Sequence, residues 1–183
     1  MFPVFFDTCV LIKPYLCDTL LTIAETGLYR PLWSAGVLAE LDRNLRRLGR
    51  PDAQIAHRLS QMTASFLDAK VLGYESLITS MTNDPKDRHV LAAAVRGGAE
   101  VLVTENIKDF PGQALAPFDI AAVHQDDFLL DQLDLSPALV FAGLARQVSR
   151  YRREPRTIDD LLDVLSSAGH GCPRFAAACR ERL

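Results

Sequence analysis

The chain has 183 residues, 49% hydrophobic and 23% charged, with a formal net charge of −3. That composition fits one globular domain with a small appendage and excludes a disordered chain. It gives no global basic field of the kind that marks many nucleic-acid binders, though a local basic rim needs none.

Phe2 to Phe6 reads as a fully buried strand, apolar on successive residues, that runs straight into Asp7. Residues from about Cys9 to Thr26 read as helix, disturbed by Pro14 and ended by Gly27. Arg30 to Trp33 is a short strand or connector, after which Ser34 caps a helix running to about Leu48 and Gly49 stops it. Pro51 opens another helix to about Ala69, followed by a short strand over Val71 to Tyr74. Asn83 or Asp84 caps the next helix, which ends at Gly97-Gly98. Glu100 to Thr104 and Asp119 to His124 are two further strands. Beyond about Asp131 the pattern is helical only: Ser136-Pro137 to Tyr151, Thr157 to Gly169 with a capping box at Thr157 and Asp160, and a last short helix from Pro173. Strands alternating with helices predict a three-layer α/β/α domain over residues 1–131 with a mainly parallel sheet, and a helical extension over 132–183. The extension carries Arg146, Arg150, Arg152, Arg153, Arg156, Arg174, Arg180 and Arg182, which read as a solvated face or as a partner or RNA surface.

No apolar stretch approaches the ~20 residues of a membrane span, so no membrane partner is expected. The N-terminal apolar run lacks a basic flank and a small-residue cleavage site, and is not read as a signal peptide. Cys9, Cys17, Cys172 and Cys179 have neither C-x-x-C nor zinc spacing. Free thiols in a reducing, cytoplasmic compartment are expected.

Parallel sheets bind ligands outside the carboxyl ends of their strands. Acids fall there in four places. Asp7 follows the first strand. Glu40 lies at the border of an amphipathic helix, aligned with Arg43, Asn44 and Arg47 by helical spacing. Asp84 and Asp87, three apart in "NDPKDRHVLAAAV", project from one side of a first turn, and "LVTENIKDFP" offers Glu105, Asn106 and Asp109. Each has a structural account of its own: Asp84 as a cap, Asp87 as a dipole complement, Glu40 as an ion-pair residue, Asp109 as turn chemistry. Asp7 is the hardest to explain so, because a charge at the end of a buried strand costs several kcal/mol unless paired or bound to a cation. Clustered carboxylates without His or Cys are hard oxygen ligands that suit Mg²⁺ or Mn²⁺ and phosphoryl chemistry.

"FFDTCVLI", "SAGVLAEL", "DPKDRHVLAAAV" and "EVLVTENIKDFP", in this order, resemble the PIN-domain ribonucleases, and most closely the VapC-type toxins of bacterial toxin–antitoxin pairs. The resemblance covers about residues 2 to 128 and implies a PIN-like fold and Mg²⁺- or Mn²⁺-dependent cleavage of single-stranded RNA, leaving 5′-phosphate and 3′-hydroxyl ends. It implies catalytic roles for Asp7, Glu40, Asp87 and Asp109, with Asp7, Asp87 and Asp109 as metal ligands. Thr8, Asp84, Thr104 and Asn106 are supporting residues, and Arg43, Arg47 and Arg88 are candidates for the RNA backbone. Many members have Asp where this chain has Asn106, so the fourth carboxylate is moved to Asp109. His89 is read as structural, pointing to the core side. A cognate antitoxin and a homodimer are implied partners. Two other readings stay open: a housekeeping RNA-processing nuclease, and a non-catalytic RNA-binding or assembly module.

Overall fold

Strand β1 (Phe2–Phe6) lies at the centre of an all-parallel sheet, between β2 (Tyr29–Ser34) and β4 (Val101–Val103). The edges are β3 (Lys70–Val71), beside β2, and β5 (Ala121–Val123), beside β4. The computed structural model describes residues 1–183. A central strand covered on both faces must be apolar on every residue, which is why the run does not alternate. Phe6 and Tyr29 meet Phe128 on one face, with ring centroids 6.0 and 5.0 Å apart. On the other face Leu32 and Val71 approach Gly97, at the end of the helix that covers them.

That first face is covered by α2 (Pro14–Ala24) and α7 (Gln125–Leu135), with α8 (Pro137–Arg150) packed on both, and the second by α3 (Ala35–Arg47) and α5 (Arg88–Arg96). The architecture is the expected three-layer α/β/α, with every strand pair parallel. The helix expected over 9–26 is two: α1 (Thr8–Leu11) stops before Pro14, which takes the first position of α2, where a missing N–H costs nothing. Helix α4 (Asp52–Ser65) ends before Ala69, because Phe66 leaves helical geometry to stack edge-on against Trp33. The strand expected at Val71–Tyr74 shrinks to β3, and a 3₁₀ turn follows over Glu75–Ser80. The helix expected from Asp84 begins as a 3₁₀ turn, Pro85–Asp87, capped by the Asp84 side chain, before α5.

Helix α7 is an element the sequence reading did not resolve, and the expected division after residue 131 lies inside it. Acids crowd its first turn, and Phe128, Leu129 and Leu133 are buried while Leu135 is not, so no clean periodic stripe shows. Helices α8, α9 (Ile158–Ser166) and α10 (Pro173–Arg180) pack on α2, on α7 and on one another. The expected capping box at Thr157 and Asp160 is present. All four cysteines are free, and all but Cys9 are buried. No single helix is long and apolar enough to cross a membrane; α7 and α8 together have the composition but are bent by 118°.

Candidate active site

Asp7 ends the central strand and is 4% exposed. Its carboxylate caps α1, accepting from the Thr8 N–H at 2.6 Å. The other oxygen accepts from the Thr104 hydroxyl at 2.7 Å and the Cys9 thiol at 3.3 Å. Burial pushes the Asp7 carboxyl above its ordinary value; the three hydrogen bonds oppose this, and the charge of Glu40 adds to it. Thr104 stands at the end of β4, the neighbouring strand, so the pairing of two strands sets the distance between the two side chains. Its oxygen also accepts from the Asn106 N–H at 3.0 Å.

Glu40 closes one side. The Thr8 hydroxyl donates to Glu40 Oε2 at 2.9 Å, and His89 Nε2 lies 3.9 Å from the same oxygen. His89 is therefore half-buried against Glu40 and the start of α3, and not turned into the core as its spacing suggested. On the opposite side Asp84, Asp87 and Asp109 come together. In a 3₁₀ turn side chains three apart eclipse, which puts Asp84 and Asp87 on one side as the spacing required. The Asp84 N–H donates to the Asp109 carbonyl at 3.2 Å and joins that turn to the one carrying Asp109. The Asp87 carboxyl is pushed up to about 6, first by burial and then by the charge of Asp7, with Asp109 and Asp84 adding and Lys86 opposing. The charges of Asp7, Asp84 and Asp109 thus all bear on Asp87.

The donor set is all carboxylate, and the side chains of Asp87 and Asp109 each keep a buried oxygen, Oδ2, with no hydrogen-bond donor. Orphaned hard oxygens of this kind fit Mg²⁺ or Mn²⁺. No three of the acids close into a ready cage.

Of the basic candidates, Arg43 and Arg47 are exposed on α3, and Arg88 donates its Nε–H to the Asn83 carbonyl at 3.2 Å. Most of the extension's arginines pair with acids instead: Arg146 and Arg150 with Glu25, Arg174 with Asp127, Arg180 with Asp159 and Asp163, Arg182 with Asp134.

Sequence reasoning missed four features. Cys9 touches Asp7, and burial pushes its thiol up to about 12. Lys86 enters the acid cluster, at 3.1 Å from Asp109 Oδ2. Lys13 pairs with Glu105. Gln125, fully buried, donates to Glu105 Oε1 at 2.6 Å and to the His170 carbonyl at 3.2 Å. That last set ties the C-terminal helices to the loop that follows β4. No sequence signal marks it, since a glutamine at a helix start is ordinarily exposed.

Comparison with known proteins finds two matching stretches. Residues 3–108 match the family model described as "PIN domain", and residues 125–181 match the one described as "VapC50 C-terminal domain". A protein of Mycobacterium tuberculosis (strain ATCC 25618 / H37Rv), described as "Putative ribonuclease VapC50", is 52% identical over 113 residues. That stretch is 62% of this chain and 65% of that relative, so the match spans just under two thirds of the relative's length. No solved structure matches. With more than half of the chain inside the first of these families, and with the acids gathered at the strand ends of a five-stranded parallel sheet, the chain belongs to the PIN-domain family.

Proposed function

We propose that this chain is a Mg²⁺- or Mn²⁺-dependent endoribonuclease, the toxin of a type II toxin–antitoxin pair. The observation that carries this is the convergence of Asp7, Glu40, Asp87 and Asp109 on the carboxyl-terminal side of the sheet, with two buried carboxylate oxygens left without donors. Asp7, Asp87 and Asp109 would hold the cation. When bound, it stabilises charge on a phosphoryl group and activates water for in-line displacement. Thr104, Cys9 and the Thr8 N–H fix the orientation of Asp7, and the Asn106 N–H fixes that of Thr104. Glu40, held by the Thr8 hydroxyl and facing His89, is placed to hold a proton. Asp84 shapes the turn carrying Asp87. Arg43, Arg47 and Arg88 contact the RNA backbone.

Every one of these residues lies within 1–131, so the chemistry is assigned there and support to 132–183. The partners are RNA, a cognate antitoxin and a second copy of the chain, in the reducing cytoplasm. The relative's described activity agrees with the reading.

RNA cleavage by wild type and Asp7→Asn, each with Mg²⁺, Mn²⁺ or EDTA, tests it. Cleavage that requires the cation and falls by at least about a hundredfold in the variant is the expected result. Equal cleavage by both proteins removes Asp7 from the mechanism. Failure of both to cleave, together with failure to bind the cation, favours the non-catalytic module, the reading that Asn106 in place of an acid supports.

A further inference from the structure

The acid cluster already contains a cation of its own. Lys86 Nζ lies 3.1 Å from Asp109 Oδ2 and 3.9 Å from Asp87 Oδ2. These are the two buried oxygens that lack hydrogen-bond donors. The ammonium is within ion-pair distance of both, but it does not approach in hydrogen-bonding geometry. It balances charge without satisfying the oxygens directionally. Asp109 is 7% exposed, whereas the Lys86 side chain is 64% exposed. The lysine therefore reaches in from solvent on a flexible four-carbon stem, and it can withdraw without moving the backbone. The turn it stands on is pinned by Pro85 and by the Asp84 cap to the Lys86 N–H at 3.1 Å, so the stem always starts from the same place.

A divalent cation at Asp87 and Asp109 and an ammonium at the same oxygens exclude each other. We propose that Lys86 is a tethered competitor for the metal: its ammonium neutralises Asp87 and Asp109 in the metal-free protein, gives up their oxygens when the cation arrives, and then meets an RNA phosphate at the crevice mouth. This rests on the reading of the crevice as a divalent-cation site. It makes the basic group available to substrate only when the cation is in place, so the lysine's two roles exclude one another in time. The cluster's mutual repulsion is relieved in both states, first by one charge and then by two.

The test is a calorimetric titration of Mn²⁺ into the full chain as wild type, Lys86→Met, Lys86→Arg and Lys108→Met, followed by RNA cleavage at saturating Mn²⁺. Lys108 is exposed on the turn that carries Asp109 and has no carboxylate partner, so its variant reports the general field without the contact. The expected result is Mn²⁺ affinity about tenfold tighter in Lys86→Met, near wild type in Lys86→Arg and changed less than about twofold in Lys108→Met. KM for RNA rises at least about threefold in Lys86→Met despite the tighter metal. Unchanged Mn²⁺ affinity in Lys86→Met, with wild type binding, overturns the competition and leaves the metal reading standing. An equal gain in Lys108→Met also overturns it, since the effect is then the field and not the contact. An unchanged KM overturns the phosphate role. Absence of Mn²⁺ binding in wild type and Lys86→Met alike removes the metal reading and this proposal together.

Discussion

Asp87 carries a pH dependence whose sign follows from its surroundings. Burial and the neighbouring acids push its carboxyl up to about 6 in the folded protein, against 3.8 ordinarily. Between those values the unfolded chain has already lost the proton that the folded chain keeps. The folded state therefore binds more protons, and stability falls as pH rises from about 4 to about 6. Asp7, also raised, adds in the same direction. Thermal melts in EDTA across this window should show Asp87→Asn with a shallower loss and, at pH 7, a higher Tm than wild type. Added Mg²⁺ should reverse the order, since only the wild type keeps that ligand. At this scale the sequence was readable where burial and charge collide, as at Asp7. It was not readable where a charge stands among charges: in "NDPKDR" Lys86 looks like any solvated turn residue. Its reach to Asp109, in a turn 23 residues on in the chain, is a tertiary fact. The helical spacing of His89 likewise pointed it the wrong way, into the core, whereas its side chain faces Glu40.

The packing of α2 against α8 turns on one glycine. A Cβ on Gly143 would stand 3.1 Å from Ile23 Cγ1 and 3.3 Å from the Ile23 Cα. The second atom is backbone and cannot swing away. Gly143→Leu is therefore expected to cost about 1–3 kcal/mol and lower Tm by roughly 2–12 °C, with Gly143→Ala milder because its helix propensity partly offsets the crowding. Differential scanning calorimetry of the two variants checks the order. Elements were legible where one local signal dominated. The unbroken apolar run of β1, the Ser34 cap of α3 and the capping box of α9 all appear where the sequence put them. They were not where long-range packing decided, as at α4, cut short by the stacking of Phe66 on Trp33, or at α7, whose face is shared between the sheet and α10.

For the molecule as a whole, the C-terminal helices are part of the core and not an appendage to it. Leu144, Leu161, Leu162, Leu165 and Phe175 are all fully buried, in the same cluster as Phe5 and Phe6. Each such side chain contributes about 1.5–3 kcal/mol by leaving water. Deleting residues 132–183 would strip α2 of its cover and expose the apolar remainder. The truncated chain is expected to be insoluble or unfolded by circular dichroism, whereas retention of a cooperative melt would show that 1–131 is self-sufficient. The extension's arginines are mostly engaged with Glu25, Asp127, Asp134, Asp159 and Asp163, which makes them part of its surface ion pairing.

The edges of the sheet have a consequence for assembly. The outermost strands are short, two residues in β3 and three in β5, and each is paired on one side only. So short an edge offers too few free backbone groups to template another strand. The sheet is therefore poorly suited to growth by strand addition, from a second copy or from a partner. Short edges leave helical surfaces and side chains as the favoured ground for association and guard the five-stranded core against edge-driven aggregation.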